Sequence, residues 1–473
     1  MFRIAIIGAS SLSIGKKVID EILQEFTETD LELRLMSLHI DHTRIVADYA
    51  RRTYPCRSNS LTVLVTRNSR EAVEGCQVVI TMFDIGGFRA SALDHKIPLH
   101  FGVGQCIGDT LGPGAVMRAQ RVIPVLDGLR RDLEELAPNS LIINYVNPLG
   151  PAGMVFERKN WHRHIGLCDG PAAMLDSIKS LLNVDILRFK LAGTNHMSWL
   201  VSLEDKHGEN LYEELRRAIL NPNIAGKERV RAEILQTFGY FCSESSGQLS
   251  DMLPWFRNSE TSRKSYLASG YAGRTGIYPR VNSLLHKQLG QMNFLKTAKP
   301  ERFPVSRHSL VRILRNEAVN KDQNKSSNPI FGNVTNKEGR ISNMPRSAIV
   351  ETEISQSSGC WIPAATTQIP REVLSMSLTH TVSNELMTDA ALSGNPEDLV
   401  RAMCHDPITA SSMSINSIRD MTFKFIEKQS EWLPQYGDAH SFSGIDIPNL
   451  PRVEKTVFDG ESFVDQVIRQ KFQ

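Results

Sequence analysis

Two short stretches of this chain hold residue types that can do chemistry together. One is Gly166-Leu-Cys168-Asp169-Gly170-Pro171, a thiol beside a carboxyl; the other, further on, is Asn195-His196-Met197. Thiolate and imidazole both ligate first-row divalent metals. Two protein ligands would leave positions open for substrate oxygens and water, as a catalytic centre needs. Asp169 would then stand where a proton is required. A lone Cys or His is usually structural, but two metal-capable pairs at the ends of successive strands are less easily dismissed. Asp169 also has a plainer reading, as the N-cap of a helix beginning near Pro171.

Residues so far apart must be positioned by a sheet, and the N-terminal half reads as one. Residues 2–7 (FRIAII) have a buried-strand pattern. Gly8-Ala9-Ser10-Ser11 follows, then an apolar-periodic stretch through Ile19, Ile22 and Leu23. This strand, turn and helix would aim free N–H groups at a phosphate. The glycine fingerprint is degraded, since GASSLSIG supplies Gly8 without the full GxGxxG, and an ordinary βα turn is an equal reading. Strand Leu33–Leu38 ends at His39, with Asp41 two residues on, where a dinucleotide fold usually places an acid for the adenosine ribose. His39 can bond a hydroxyl but lacks the two acceptors of a carboxylate. Strand Gln77–Phe83 runs into Asp84-Ile-Gly86-Gly87-Phe88-Arg89, where paired glycines permit close approach to a ligand. Gly108-Asp-Thr-Leu-Gly112-Pro113-Gly114 opens a helix around Arg118–Leu136. Strand Leu141–Tyr145 delivers Asn147-Pro148 at its carboxyl end, where Asn147 can bond a sugar hydroxyl or the nicotinamide ribose, or simply form a turn. Ile165–Cys168 and Leu187–Leu191 read as further strands whose ends converge on one rim. Gly8, Ser10, Ser11, His39, Gly86, Gly87 and Asn147 are the expected cofactor residues.

Beyond residue 200 the alternation fades. Residues 205–237 are charged and helical, 238–257 dense in the polar and aromatic groups that line sugar sites, 318–328 a polar loop. Val350–Ile354 suggests a strand, and 370–435 long helices broken at Pro407 that could form an oligomer face. The fold class is therefore α/β, with a dinucleotide-binding, Rossmann-type domain expected over 1–195 and a helix-rich α/β domain over 196–473. A net charge of +2 gives no reason to expect nucleic acid or an anionic membrane as partner. No apolar run reaches the ~18–20 residues of a membrane span. The start is too short for a signal-peptide core, so a cytoplasmic location is expected. Seven widely spaced cysteines without a CxxC argue against a disulfide framework.

These residues together resemble glycoside hydrolase family 4, the NAD- and manganese-dependent glycosidases, from residue 2 to about 435. The most specific pieces are IPLHFGVGQCIGDTLGPGAVMRAQRVIPVL (97–126), NYVNP (144–148), GLCDGP (166–171), GTNHMSW (193–199) and ESSGQLSDMLPWFR (244–257); GNVTNKEGRISNMPRSAIVE (332–351) and AMCHDP (402–407) are weaker. The resemblance implies a homodimer or homotetramer acting on small-molecule glycosides, with Mn²⁺ on Cys168 and His196. It also implies chemistry outside the two-carboxylate scheme of most glycosidases. NAD⁺ takes hydride from the sugar C3, the metal stabilises the enediolate, a base removes the C2 proton and an acid protonates the leaving oxygen. Water then adds and the hydride returns. Asp169 matches the acid of the phospho-α-glucosidase branch.

Three positions depart from that pattern. Relatives often read Ser-Glu-Tyr where this chain has Ser250-Asp251-Met252, and the tyrosine is the C2 base in some branches. Met252 cannot take a proton, which leaves Asp251, or more remotely Tyr240. Gln248 stands where relatives often have His, and His39 replaces the ribose acid. Arg89, Arg274 and Arg280 are candidates for a 6-phosphate or hexuronate carboxylate, and Asn195 with Asn147 for sugar hydroxyls. The expected activity is hydrolysis of glycosides, most of all α-linked ones. The alternatives are an NAD-dependent sugar oxidoreductase that has lost the elimination, or a catalytically impaired sugar or NAD sensor.

Overall fold

β1 (Phe2–Ile7) is apolar along almost its whole length and buried, as a strand covered on both faces must be. In the computed structural model it pairs in parallel with β2 (Leu31–Met36) on one side and β4 (Val78–Thr81) on the other. β3 (Leu61–Thr66) adds to β2; it escapes a sequence reading because an edge strand is only half buried and carries no continuous apolar run. β5 (Leu141–Asn144) and β6 (His164–Gly166) extend the other side. The order β3-β2-β1-β4-β5-β6 is that of a dinucleotide-binding sheet. The structure describes residues 1–11, 14–27, 29–54, 60–184, 187–221, 228–267, 275–276, 280–284, 287, 294–301, 309–319 and 329–437. Arg274 and most of the 318–328 segment lie outside them.

The sheet does not stop at β6. It continues antiparallel through β10 (Phe331–Thr335), β11 (Ile349–Ser357), β7 (Arg188–Thr194), β8 (Met197–Glu204) and β9 (Phe241–Cys242), and β12 (Cys360–Pro363) pairs with β11. One register row runs across it: Gly166, Asn333, Glu351, Gly193. Three successive antiparallel pairings separate β6 from β7, so β7 runs opposite to β6. The expectation of two strand ends on one rim is corrected here. Cys168 lies two residues past β6, and His196 lies in the tight turn joining β7 to β8, whose ends pair Thr194 with Met197. Position 195 therefore falls inside a hairpin.

Helices cover the sheet. The Arg371–Ser393 helix packs on the Pro113–Leu136 and Leu149–Glu157 helices, and the Ile415–Gln429 helix on the Gly87–His100 and Pro396–His405 helices. C-terminal residues thus reach back onto the N-terminal half. The described residues of the charged stretch expected at 205–237 include the helices Tyr212–Ile219 and Arg229–Phe238. Among the described residues no helix is long and apolar enough to cross a membrane.

Candidate metal and cofactor site

His196 adopts φ 61°, a left-handed conformation uncommon outside glycine, which the two-residue hairpin turn imposes. The turn sends its imidazole toward the loop after β6, where His196 Nε2 stands 3.1 Å from Cys168 Sγ. A third group joins them. Glu244 Oε2 is 3.8 Å from His196 Nε2, and one ligand atom from each of the three lies within 4.8 Å of the others. Glu244 escaped the sequence reading as a ligand, although it heads the polar 244–257 stretch. Gly170 leaves room beside it: a Cβ there would lie 2.9 Å from Glu244 Oε2 and 3.4 Å from Cys168 Sγ, so the Glu244 carboxylate would have to shift. Its N–H donates to that sulfur at 3.3 Å.

Thiolate, imidazole and carboxylate suit a divalent cation, and Mn²⁺ would take further oxygens from substrate and water. Burial pushes the Cys168 thiol up, opposed by His196, while Cys168, Glu244 and Asp109 hold the His196 imidazole well above its usual value against burial. A cation binding there would compete with protons for these atoms. Beside the cluster, Asn195 donates from Nδ2 to Glu351 Oε1 at 3.0 Å, which turns its buried Oδ1 away with no protein partner. Glu351 is fully buried and also accepts from Asn333 (3.2 Å) and Ser198 (2.6 Å). Burial raises its carboxyl, against the pull of His196 and these bonds. Its place in the register row between β10 and β7 explains why it reaches residues distant in sequence.

Behind His196 lies a second polar layer. Thr110 Oγ1 is 2.6 Å from His196 Nδ1 and donates to Asp109 Oδ1 at 2.9 Å. Gln248 Nε2 reaches Asp109 Oδ1 (2.7 Å) and Thr110 Oγ1 (3.0 Å), and Asn147 Nδ2 donates to Asp109 Oδ2 at 2.9 Å. Burial works against the Asp109 anion, but His196, Arg118 and these bonds outweigh it and hold the carboxyl below its usual range.

The cofactor turns follow the strand ends. Gly8 has φ 97°, and a Cβ there would meet the backbone of Met82 and Phe83 at 2.7–2.8 Å, so only glycine lets β1 pass this close to the end of β4. Ser10 Oγ accepts from Ser37 Oγ at 3.0 Å, and Ser11 Oγ accepts from the Ile14 N–H at the helix start. Gly87, at φ 51°, has open space where a Cβ would stand, room that a dinucleotide can fill. His39 is exposed three residues past β2 and caps the next helix only through its backbone.

A family model described as family 4 glycosyl hydrolase matches residues 3–184, and one for the C-terminal domain of the same family matches 191–409. The chain belongs to family 4 of the glycosyl hydrolases. It is 29% identical over 450 residues to an alpha-galactosidase of Rhizobium meliloti, covering 93% of this chain and 90% of that one. An alpha-galactosidase of Bacillus subtilis is 27% identical, with 92% of this chain and all of that one covered. The 6-phospho-beta glucosidase of Thermotoga maritima, solved with manganese, NAD⁺ and glucose-6-phosphate, shares the fold at a TM-score of 0.75 and 20% identity, over 91% of this chain and 99% of that one.

Within this family 4 hydrolase several expected site residues have other work. Asp251 is fully buried and accepts from the backbone N–H groups of Cys106 (2.9 Å), Ile107 (2.7 Å) and Gly108 (3.0 Å). It also pairs with buried Arg257 at 2.7 Å. Every lone pair faces a donor, so its role as a proton acceptor is replaced here by that of a loop anchor. Met252 is 1% exposed in the apolar core, and Tyr240 packs edge-on against Tyr212. Arg89 is largely exposed; it pairs with Glu431 at 3.0 Å and lies over the Trp432 ring, fastening the C-terminal segment to the Gly86 turn. Arg280 is exposed and its N–H reaches Gly276 O at 3.4 Å; the Gly276 N–H donates to Gln105 O at 2.8 Å. Asp169 sits at the N-cap position but makes no side-chain capping bond; its carboxylate, 76% exposed, pairs with Lys17 at 2.7 Å.

Proposed function

We propose that this family 4 hydrolase cleaves O-glycosides, α-linked ones above all, with NAD⁺ and Mn²⁺ or a similar divalent cation. The observation that carries the reading is the cluster of Cys168, His196 and Glu244 beside a sheet of dinucleotide-binding order. When bound, the two cofactors supply reversible oxidation at the sugar C3 and stabilisation of charge on its neighbouring oxygens. The chain's own groups hold the cofactors, orient the sugar and serve the leaving group. Cys168, His196 and Glu244 hold the cation, and Gly8, Ser10, Ser11, Gly86 and Gly87 line the dinucleotide. Asn195 Oδ1, held by Glu351, accepts a sugar hydroxyl. Asn147, fixed through Asp109 and the Arg118–Asn147 O bond of 3.1 Å, meets the ribose or the sugar. Asp169, whose exposed carboxylate pairs with Lys17, is the acid of this reading: it must leave Lys17 and take up a proton before it can pass one to the leaving oxygen.

The same reading places the enzyme in the cytoplasm, whose reducing milieu suits free cysteines such as Cys168. It makes residues 1–195 the dinucleotide unit and 196–473 the substrate unit. It also makes the protein a homodimer or homotetramer, for which exposed Leu392 and Ile415 on the C-terminal helices offer apolar surface. One observation favours a second reading, a sugar oxidoreductase without elimination: the commitment of Asp251 to Arg257 and the 106–108 loop removes one candidate C2 base. Hydrolysis of nitrophenyl α- and β-glycosides of glucose, galactose and hexuronic acids and their 6-phosphates, under reducing conditions, separates the readings. Turnover requiring both NAD⁺ and Mn²⁺ supports the glycosidase. NADH accumulating without nitrophenol supports the oxidoreductase, and hydrolysis indifferent to both additions overturns the proposal.

A further inference from the structure

The second polar layer around His196 can be satisfied in only one way. Asp109 is an acceptor on both oxygens, and Oδ2 is taken by Asn147. Its Oδ1 lies 2.9 Å from Thr110 Oγ1, so a hydrogen must stand between these oxygens, and only the threonine hydroxyl can provide it. The Thr110 hydrogen is therefore committed to Asp109. At 2.6 Å from His196 Nδ1, Thr110 Oγ1 has only lone pairs left to offer, so the hydrogen of that bond belongs to the imidazole. Gln248 Nε2 closes the count: its two amide hydrogens have Asp109 Oδ1 at 2.7 Å, Thr110 Oγ1 at 3.0 Å and His196 Nδ1 at 3.2 Å within reach, and the two nearer oxygens take them. Every donor then meets an acceptor when His196 carries its hydrogen on Nδ1. With the hydrogen on Nε2 instead, either Thr110 and Asp109 would face each other with bare lone pairs, or Thr110 and Nδ1 would.

Nε2 is the atom that faces Cys168 and Glu244. We infer that Thr110, backed by Asp109 and Gln248, is a positioning residue that locks His196 in the tautomer whose Nε2 lone pair is presented to the cation. Outer partners of this kind orient ligating histidines and raise their basicity, and losing one typically weakens metal binding about 10–100-fold. Thr110 and Asp109 lie in the loop that Asp251 anchors through the Gly108 N–H, which is how a residue of the buried Ser246–Met252 helix acts on the metal ligand without touching it. The inference rests on the reading of Cys168 and His196 as metal ligands.

The test is Mn²⁺ titration followed by the paramagnetic resonance signal of the free ion, with NAD⁺ present and no substrate. The proteins are the full-length chain, Thr110→Val, Thr110→Ala, Thr110→Ser and, as control, His196→Ala. Valine keeps the shape and removes the hydroxyl, alanine serves if valine impairs folding, and serine restores the hydroxyl. Dissociation constants 10–100-fold weaker for valine or alanine, with serine within about threefold of the unaltered chain, support the role. Equal affinity across the Thr110 series, or a serine variant as weak as the valine one, overturns it while leaving the metal site standing. An unaltered chain that binds no better than His196→Ala overturns the metal reading itself.

Discussion

Asp251→Asn separates an anchor from a base. In the folded chain the carboxylate receives three backbone N–H groups and the Arg257 guanidinium, all out of water. Arg257 is wholly buried and otherwise donates to Ser250 Oγ at 2.8 Å and Gly104 O at 2.9 Å. An amide keeps one acceptor oxygen and puts an NH₂ where the other stood. That NH₂ must confront either the guanidinium or the N–H groups of Ile107 and Gly108, so donor meets donor, and the arginine loses the charge of this carboxylate. Removing one partner of a buried pair costs about 3–5 kcal/mol. At roughly 2–4 °C per kcal/mol for a unit of about 150–250 residues, Tm should fall by about 10 °C. Mn²⁺ affinity should fall with it, because Asp109 and Thr110 ride on the same loop. Scanning calorimetry of the NAD⁺-free protein and a metal titration read both. A Tm within about 2 °C of the unaltered chain, with turnover abolished, would refute the anchor and return Asp251 to proton transfer.

Other outcomes follow from the same geometry. His164 is buried on the Phe156 ring, its centroid 4.8 Å away, and burial pushes its pKa down to about 3 from 6.5. The unfolded chain then binds the proton first, so this residue's stability is full above pH 6.5 and drains as pH falls toward 3. At about 1.4 kcal/mol per unit, roughly 2 kcal/mol is lost by pH 5, and His164→Phe should flatten that part of the Tm–pH curve. Asp406 shows the opposite sign. Burial raises it to about 6, against the bonds it accepts from Thr409 and Gly112. Its contribution is full below about pH 4 and lost as pH rises through 6, so the Tm difference between the unaltered chain and Asp406→Asn should shrink from pH 4 to 7, by about 3 kcal/mol equivalent. Gly170→Ala should weaken Mn²⁺ severalfold in the same titration with circular dichroism unchanged, since the new methyl crowds Glu244. Gly8→Ala, with its Cβ 2.7 Å from the Met82 carbonyl, should lower NAD⁺ affinity at least tenfold by fluorescence titration, and Tm as well.

Much of this was legible in the chain. Cys168 and His196 carry metal-binding side chains in motif contexts that few structural residues share, and Phe2–Ile7 reads as a buried parallel strand because a strand covered on both faces must be apolar throughout. Gly8 and Gly87 were legible as places of unusual backbone. What was not legible depended on neighbours distant in sequence. Glu244, Glu351, Asp109 and Thr110 are ordinary polar residues until β11 slides between β10 and β7 and the 106–112 loop folds onto the Ser246–Met252 helix.

Asp251 shows the same limit from the other side. Its type and its place in the 244–257 stretch allow a base, and only Arg257 and three backbone N–H groups reveal an anchor. Arg89 was an anion candidate by charge alone, until Glu431 and Trp432 came back from the C-terminus to claim it. Composition and local pattern pointed to several N-terminal strands, the glycine turns and two of the three candidate metal-ligating side chains, because those follow from side-chain chemistry and backbone sterics. Tertiary structure alone decided which polar groups are spent on each other and which, like Asn195 Oδ1, are left without a protein partner, because hydrogen-bond satisfaction in a buried site is a property of the assembled neighbours.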